Sequence, residues 1–374
     1  MKIAIISAYY PSQEDLYSGG FVHIRVKNYI KRGHDCKVFV LDSNVLNGKY
    51  FFEDVEVFKG EENFIVSNIT SYNPQVLCIH CLLKTTVAIC SQYFTNIPKI
   101  IWVHGAELMW TSFLYPYDGN ILLLPVNFTL RFVKDLIRRN IFRKFIIEQD
   151  PHLVFVSDYL RKQVEYFLGF KVKRFSIIPN PIDDEIFYFS PRRGKINKLI
   201  CVRSLNSSKY AVDLVIKAFR KSKYHVVIYG RGKLLDYYKK LAQKYNANVE
   251  FVDRFLTQSE LSELYRQYNL GIMLTRLDAQ GVSVCEQNMT GLPVITSDIE
   301  GNKEFETGGT IRIKNNELWR IEKIIDQLNE EPERLEEMSY KAHEDILRKA
   351  GKEKVIEEEL FLISRVVSQK STFT

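Results

Sequence analysis

No apolar run in this 374-residue chain approaches the roughly 20 residues needed to cross a lipid bilayer. The longest runs, such as ILLLPV at 121–126, are far shorter. The apolar start MKIAIISAYYP has no small-residue cleavage site, so it predicts a buried first strand rather than a signal peptide. We therefore expect a cytoplasmic protein. No second cysteine pair at zinc-site spacing follows Cys78 and Cys81, so we expect the six cysteines to be buried as small hydrophobic side chains.

The composition is that of a folded protein with an excess of positive charge. Hydrophobic residues make up 46% and charged residues 26%, which is far from the composition of disordered chains. The length favours two domains, each large enough for a core of its own. The formal charge of +7 suits an anionic partner. Nucleic acid, nucleotide, phospholipid and charged glycan all remain open on charge alone.

Short runs rich in Ile and Val alternate with segments of helical period, which predicts βαβ units and parallel sheets. The expected strands lie near 2–10, 36–42, 75–81, 99–105, 152–158 and 174–180, and then near 198–205, 224–230, 248–254, 270–275 and 292–298. Between the two series, residues 180–197 hold two prolines and a glycine and are predicted to connect the domains. Thr257 and Glu260 have capping-box spacing, which predicts a helix start. After residue 315 the pattern is helical, with a break at Gly351.

This pattern predicts an α/β protein with two Rossmann-like, doubly wound domains. We expect an N-terminal acceptor-binding domain over 1–180, a C-terminal donor-binding domain over 181–350, and a helix at 351–374 that packs back towards the first domain. Ligands of such sheets bind beyond the carboxyl ends of the strands. The sequence therefore predicts a site in the cleft between the two domains.

In the first domain the candidates are a glycine turn and two histidines. Gly19 and Gly20 precede an amphipathic helix whose first amides would suit a phosphate or a sugar hydroxyl, although a turn that serves chain geometry alone is the alternative. The third glycine of a dinucleotide fingerprint and the P-loop pattern are absent. His104 ends a predicted buried strand with Glu107 nearby, so we expect it to contact ligand. His80 ends a similar strand and is expected to be structural.

In the second domain, two cations stand at the turn after the first strand. Arg203 and Lys209 flank the start of a helix, and two cations in this position suit the negative oxygens of a pyrophosphate. Solvated surface charge is the alternative for either residue alone. Gly230 ends the next strand and is expected to let the backbone approach a base or ribose.

The stretch TRLDAQGVSVCEQNMTGLPVIT, residues 275–296, places two carboxylates around a glycine. Gly281 opens a turn, so the amides of Val282 and Ser283 and the side chain of Glu286 are predicted to reach the site of the two cations. Asp278 lies just before the turn. A carboxylate accepts paired hydrogen bonds from vicinal hydroxyls, so the two acids are predicted to bind the two rings of one donor. The alternative is that Asp278 caps a helix and Glu286 is merely polar.

These motifs, together with IIPNPID at 177–183, VHGAE at 103–107 and the SGG loop, occur in the order found in the retaining GT-B glycosyltransferases of family 4. The chain resembles that family over most of its length. The resemblance implies metal-independent hexosyl transfer from a nucleotide sugar, expected to be UDP-linked, with retention at the anomeric carbon and no cofactor. It further implies a glycan or lipid-linked acceptor in surface polysaccharide assembly.

The resemblance also assigns a role to each candidate. Glu286 would hold the ribose, and Asp278, which replaces the usual glutamate, would contact the donor sugar. Arg203 and Lys209 would neutralise the diphosphate. His104 would lie near the donor sugar and the acceptor.

On the acceptor side we expect Glu107 and a basic amphipathic helix over residues 131–147, whose cations include Arg138 and Arg139. Such a helix either lies on an anionic membrane, at its inner face, or covers its own domain, and the sequence leaves both open. The apolar, aromatic stretch at 113–128 just before it is placed to approach a lipid-linked acceptor.

Other classes of function fit the same architecture. A nucleotide-sugar epimerase would consume its donor with no acceptor present, and a glycan phosphorylase would need a cofactor-binding lysine and a longer chain. A non-catalytic protein that binds nucleotide sugars or glycans would bind donor without turnover. Nucleic-acid binding explains the charge but not the paired acids.

Overall fold

The computed structural model describes the whole chain except Glu14, Leu16, Tyr17, 115–123 and 372–374. The chain divides into two compact units. The first unit comprises Met1–Ser112, Val126–Pro181 and the C-terminal segment from Glu353 onwards. The second unit is built on Ile182–Lys352. The apolar stretch predicted at 113–128 lies largely outside the described residues.

The first unit is built on an eight-stranded sheet. Its strands are β1 (Lys2–Ser7), β2 (Asp35–Leu41), β3 (Gly48–Phe52), β4 (Val55–Gly60), β5 (Val76–His80), β6 (Lys99–Val103), β7 (His152–Phe155) and β8 (Phe175–Ile177). Their order in the sheet is β3-β4-β2-β1-β5-β6-β7-β8, and every pair is parallel except β3 with β4. The six predicted strands are confirmed. The hairpin of β3 and β4 at one edge was not predicted.

Helices of the first unit connect these strands and cover the sheet. They are α1 (Gly20–Lys31), α2 (Glu62–Tyr72), α3 (Lys84–Tyr93), α4 (Thr111–Leu114), α5 (Leu124–Gln149) and α6 (Asp158–Leu168). Every residue of β5 and β6 is buried, as expected of parallel strands covered on both faces. The chain continues on opposite sides of β1, into β2 and later into β5, so the strand order reverses there. Ligands of such sheets bind at this reversal.

The second unit has a six-stranded, wholly parallel sheet. Its strands are β9 (Lys198–Val202), β10 (His225–Tyr229), β11 (Val249–Val252), β12 (Gly271–Met273), β13 (Val294–Ser297) and β14 (Thr310–Ile313), in the order β11-β10-β9-β12-β13-β14. The reversal therefore lies between β9 and β12. The five strands predicted in this half are confirmed, and the structure adds β14.

The helices that follow are α7 (Val212–Ala218), α8 (Leu235–Tyr245), α9 (Gln258–Tyr265), α10 (Val282–Met289), α11 (Glu300–Lys303), α12 (Arg320–Glu330), α13 (Pro332–Ala350) and α14 (Lys352–Ser371). The predicted capping box is confirmed, because the Thr257 hydroxyl accepts from the Glu260 amide while the Glu260 carboxylate accepts from the Thr257 amide. The predicted break at Gly351 is also confirmed, because α13 ends and α14 begins on either side of it.

The helix α14 is held to the first unit by a buried ion pair. The Arg25 guanidinium on α1 donates to Glu359 Oε1 at 2.7 Å, and neither side chain is exposed to solvent. Tyr29 Oη donates to Glu359 Oε2 at 2.6 Å, and Trp102 Nε1 donates to Oε1 at 3.0 Å. Three donors therefore converge on one carboxylate. This satisfies the condition under which a buried charge is tolerated.

Candidate functional site

In the second unit, two cations converge on one aromatic ring just beyond β9. Arg203 is buried and donates from Nη2 to the Met273 carbonyl at 3.0 Å. Lys209 lies in the short 3-10 turn Ser208–Tyr210 that leads into α7. The Arg203 Cζ lies 5.4 Å from the Tyr210 ring centroid and the Lys209 Nζ lies 4.9 Å from it. The predicted pair of cations is thus gathered at one place.

The loop after β12 is fastened to this turn through the Lys209 carbonyl. The Arg276 amide donates to that oxygen at 2.8 Å, and Thr275 Oγ1 donates to it at 3.2 Å. The Arg276 guanidinium also forms an ion pair with Asp213 at 2.7 Å. The β9 and β12 strands are neighbours in the sheet. The bonds from Thr275 and Arg276 therefore hold the segment that carries Asp278 beside the two cations.

Asp278 is electrostatically coupled to both cations. Burial raises the pKa of its carboxyl, while Lys209 and Arg203 oppose that rise. Its Oδ1 accepts from the Ala279 amide at 3.1 Å. Gly281, not Asp278, is the residue at the start of α10, so the capping alternative does not describe Asp278.

The start of α10 presents one amide without an internal partner. The Gly281 carbonyl accepts from the Val284 and Cys285 amides, and the Val282 amide donates to Gln280. The Ser283 amide has no acceptor in the part of the chain that the structure describes. A free amide at a helix start favours an anionic or hydroxyl oxygen as its partner.

Glu286 is buried within α10, with 9% of its surface exposed. Burial raises the pKa of its carboxyl to about 8, and no cation or amide among the described residues opposes that rise. Tyr265 Oη and the Gln287 amide group, both buried in the same unit, have no hydrogen-bonding partner at normal geometry among the described residues. Neither residue was predicted from the sequence, since a tyrosine on a helix and a glutamine in an amphipathic pattern carry no signal of function.

Gly230 has a packing role in this region. A Cβ at residue 230 would clash with the Arg203 carbonyl oxygen, and the Arg203 amide donates to the Tyr229 carbonyl at 3.0 Å. Glycine therefore lets the end of β10 lie against the residue that positions the guanidinium. Its contact with a base or ribose stays a prediction.

In the first unit, the glycine turn is required by its conformation. Gly19 has a φ of 78°, and a Cβ there would lie 2.7 Å from the Tyr9 carbonyl oxygen. The Gly19 carbonyl accepts from the Val22 and His23 amides and so begins α1. Added atoms at Gly20 would meet nothing within 4 Å. Chain geometry explains Gly19, and ligand contact at either glycine stays a prediction.

His104 follows β6, and the structure pairs it with His80 at the end of the neighbouring strand. His80 Nδ1 lies 3.1 Å from His104 Nε2, and the Phe21 ring lies 4.4 Å from the His104 ring. Burial lowers the pKa of both imidazoles well below the usual range. The Glu107 carboxylate accepts from the His104 amide, and burial raises the pKa of that carboxyl. Glu107 therefore stabilises the turn that carries His104, and contact of either residue with a ligand stays a prediction.

Three arginines of α5 bind groups of the first unit. Arg139 Nε donates to the Phe167 carbonyl at 2.6 Å, and Arg143 Nη1 donates to the Leu168 carbonyl at 2.8 Å, so both satisfy the last turn of α6. Arg138 donates to the Met109 carbonyl and to Asp135. A role of Arg138 and Arg139 on the acceptor side stays a prediction, now with these internal bonds against it.

All six cysteines are free and buried, as predicted. Within the described ranges, no group of three or more His, Cys, Asp or Glu residues is arranged to hold a metal ion. No helix in the described part of the chain has the length and apolar character needed to cross a membrane.

Comparison with known proteins relates the second unit to a family. Residues 183–345 match the family model described as glycosyl transferases group 1. No curated protein matches the sequence significantly. That family segment contains the two cations and both carboxylates described above.

Solved structures resemble the chain over nearly its whole length. Sucrose-phosphate synthase from Thermosynechococcus elongatus has a TM-score of 0.76 at 14% identity, covering 99% of this chain and 100% of that one. A glycosyltransferase from Rickettsia africae has a TM-score of 0.72 at 12% identity, with 98% of each chain covered. Anabaena HepE, in complex with UDP, has a TM-score of 0.72 at 13% identity, covering 98% of this chain and 100% of that one. Residues 183–345 thus carry a glycosyl transferases group 1 domain, and the chain as a whole has the GT-B fold of these glycosyltransferases.

Proposed function

We propose that this protein is a retaining, family 4 hexosyltransferase that moves a sugar from a nucleoside-diphosphate sugar to a glycan or lipid-linked acceptor. UDP is the proposed nucleotide, and surface polysaccharide assembly is the proposed setting. One observation carries the proposal: Arg203 and Lys209 lie together against Tyr210, with the half-buried carboxyl of Asp278 coupled to both. This arrangement suits a ligand with a negative diphosphate and adjacent hydroxyls.

The same residues can lower the barrier to transfer. When the bond from sugar to phosphate breaks, negative charge grows on the leaving diphosphate, and fixed cations and amides that face it stabilise the transition state. Arg203, Lys209 and the Ser283 amide supply these groups in the proposal. Two cations do the work that a divalent ion would otherwise do, so the transfer is proposed to need no metal and no cofactor.

The carboxyls hold the donor in this proposal. Glu286 binds the ribose hydroxyls, and Asp278 binds the donor sugar. The leaving phosphate takes the acceptor proton itself, which accounts for a site without an evident nucleophile and base. The relatives support the choice of nucleotide: HepE was solved with UDP, and an Escherichia coli structure related to trehalose-6-phosphate was solved with UDP-2-fluoro glucose.

A nucleotide panel tests the proposal on wild type and Lys209→Ala. We expect one of UDP, GDP and ADP, with its sugar conjugates, to stabilise the wild type by about 2.7 kcal/mol at a hundredfold excess over Kd. Lys209→Ala is expected to weaken that binding at least tenfold, because one cation facing the diphosphate is lost. Differential scanning fluorimetry measures the shift. Lys217→Ala is the control, since Lys217 lies on α7 in an ion pair with Asp213.

The outcomes separate the rival functions. Binding without turnover on any acceptor would favour the non-catalytic binding protein. Loss of donor with no acceptor present would favour an epimerase. Absence of stabilisation by any nucleotide at millimolar concentration would contradict the proposed donor site itself.

We also propose that the acceptor side contacts a membrane through an apolar stripe of α5. Val126, Leu130, Val133 and Ile137 recur at helical spacing and are exposed by 57%, 57%, 47% and 50%. Lys134 lies exposed beside them. Because Arg138, Arg139 and Arg143 bind carbonyls of the first unit, the stripe and not the basic face is the proposed contact. An apolar stripe next to a cation suits an anionic lipid surface.

Vesicle sedimentation tests this contact. Replacing Leu130, Val133 and Ile137 by serine is expected to lower binding to vesicles of phosphatidylglycerol and phosphatidylcholine roughly tenfold, because apolar area drives insertion. The control, Arg139→Ser with Arg143→Ser, is expected to lower Tm through loss of the α6 contacts and to leave vesicle binding intact. Equal binding by the serine variant and wild type would contradict the proposal.

A further inference from the structure

Two histidines from neighbouring strands share one hydrogen bond in the first unit. His80 is the last residue of β5, and His104 directly follows β6. His80 Nδ1 and His104 Nε2 lie 3.1 Å apart, with the two rings inclined by only 19°. His80 also stacks on Trp102, with ring centroids 4.7 Å apart. His80 is therefore fixed on both sides.

The surroundings of both rings favour the neutral imidazole. Burial lowers the pKa of His80, and the charges of His104 and Arg25 lower it further. Burial and the charge of Arg25 likewise lower the pKa of His104, while the Asn180 side chain opposes that effect. A neutral imidazole has one N–H, so only one of the two rings supplies the shared proton.

The remaining nitrogens decide which ring supplies it. In the described part of the chain, neither His80 Nε2 nor His104 Nδ1 has a partner at normal hydrogen-bond geometry. If His104 donated, the His80 proton would sit on Nε2, sealed in the interior with no acceptor, which is the costlier kind of unmet group. If His80 donates, its Nε2 is a bare acceptor, and the N–H on His104 faces the Asn180 side chain, whose hydrogen bond raises the pKa of His104.

We infer that His80 donates from Nδ1 to His104 Nε2 and thereby holds His104 as the Nδ1–H tautomer. His80 is then a positioning residue, since the bond at one imidazole nitrogen sets the state of the other. In this state the His104 Nε2 lone pair is occupied, so His104 does not act as a general base through it. The His104 N–H is instead fixed at Nδ1, beside Asn180, and in this proposal a ligand oxygen shares it. This role rests on the proposed function, in which the leaving phosphate takes the acceptor proton.

The tautomer is tested directly by two-bond ¹H–¹⁵N correlation spectra of the full chain without substrate. We expect His104 as Nδ1–H in the wild type and also in His80→Asn, whose amide can donate from the position of Nδ1. In His80→Phe the donor is lost, and we expect His104 to change to Nε2–H or to a mixture. His104 as Nε2–H in the wild type, or unchanged in His80→Phe, would overturn the inference.

The matched control is His152, another buried histidine of the same sheet, which is the first residue of β7. Its Nε2 forms a hydrogen bond with Ser176 Oγ at 2.9 Å. His152→Phe is expected to leave the His104 signals unchanged. If His80→Phe does not fold, His80→Asn compared with His80→Leu provides the same test. Because the spectra are recorded without substrate, a wrong tautomer prediction can be distinguished from a wrong proposed function.

Kinetics then show whether the tautomer matters. With a turned-over donor, we expect His80→Phe to lower kcat at least tenfold with less than a threefold change in the donor KM, and His80→Asn to recover most of the loss. A merely structural residue would change Tm without this separation and without recovery by asparagine. An unchanged kcat in a His80→Phe protein with an altered tautomer would overturn the positioning role.

Discussion

Replacing Glu359 by alanine is expected to lower the free energy of unfolding of the first unit by about 3–5 kcal/mol. The change would leave the Arg25 guanidinium buried without its carboxylate and would remove the acceptor of Tyr29 Oη and Trp102 Nε1. Each unmet buried donor adds to the loss. Urea unfolding followed by circular dichroism measures the effect, with the unfolding of the second unit treated as a separate transition.

The partner variant separates charge from hydrogen bonding. Arg25→Met leaves the Glu359 carboxylate buried with two of its three donors but without its cation, so this variant is also expected to lower the free energy of unfolding. In a double-mutant cycle we expect a coupling energy of at least about 2 kcal/mol.

The control lies on the same helix. Glu353 forms an ion pair with Arg32, and 63% of the Glu353 side chain is exposed. Glu353→Ala is expected to change stability by less than about 1 kcal/mol, because exposed pairs contribute little. Equal losses for Glu353→Ala and Glu359→Ala would contradict the claim that burial of the pair holds α14 in place.

The proximity of Arg203 to Asp278 could be predicted from the sequence because the geometry of a parallel sheet is regular. Arg203 and Asp278 each follow a run of buried residues, and the carboxyl ends of parallel strands lie at one edge. The pattern of apolar runs alone therefore predicts that these residues lie near each other. The same holds for the capping box of α9, which depends on a local spacing.

What the sequence did not show depends on contacts between distant segments. The partner of Arg25 lies 334 residues away on α14, and no local pattern marks it. The pairing of His80 with His104 requires that β5 and β6 be neighbours in the sheet. The sequence does not give the order of strands in the sheet. The sequence pattern placed Arg139 and Arg143 on a basic helix face. In the structure α5 packs beside α6, and both side chains donate to carbonyls of the last turn of α6.

A second large effect on the free energy of unfolding is expected at Glu286. Most substitutions in a buried site lower stability, whereas this one is expected to raise it. Burial raises the pKa of the Glu286 carboxyl from 4.5 to about 8. Since the folded-state pKa lies above the unfolded one, the favourable contribution is fully present below about pH 4.5 and is lost as the pH rises through 8. The wild type therefore loses stability over this range.

Glu286→Gln removes the titrating group and keeps the shape. We expect the variant to match the wild type near pH 4 and to be more stable by about 2 kcal/mol or more at pH 8.5, from the size of the shift. Urea unfolding of the second unit at the two pH values measures the difference. Glu300→Gln, an exposed carboxylate on α11, is the control, with a change of less than about 0.5 kcal/mol at either pH.

Glu286→Gln is also expected to bind the nucleotide more weakly. An ionised carboxylate accepts from both ribose hydroxyls, whereas the amide of glutamine has only one acceptor oxygen, so we expect at least a tenfold weaker Kd. Binding to the wild type at pH 7 should release protons, because the ligand favours the ionised carboxyl, and calorimetry in buffers of different ionisation enthalpy measures that release. A more stable Glu286→Gln that still binds nucleotide at wild-type affinity would leave Glu286 a buried acid without a role in donor binding. A variant that gains stability and loses nucleotide would show that the buried carboxyl is kept for its ligand, since residues selected for binding commonly lower the stability of the fold that carries them.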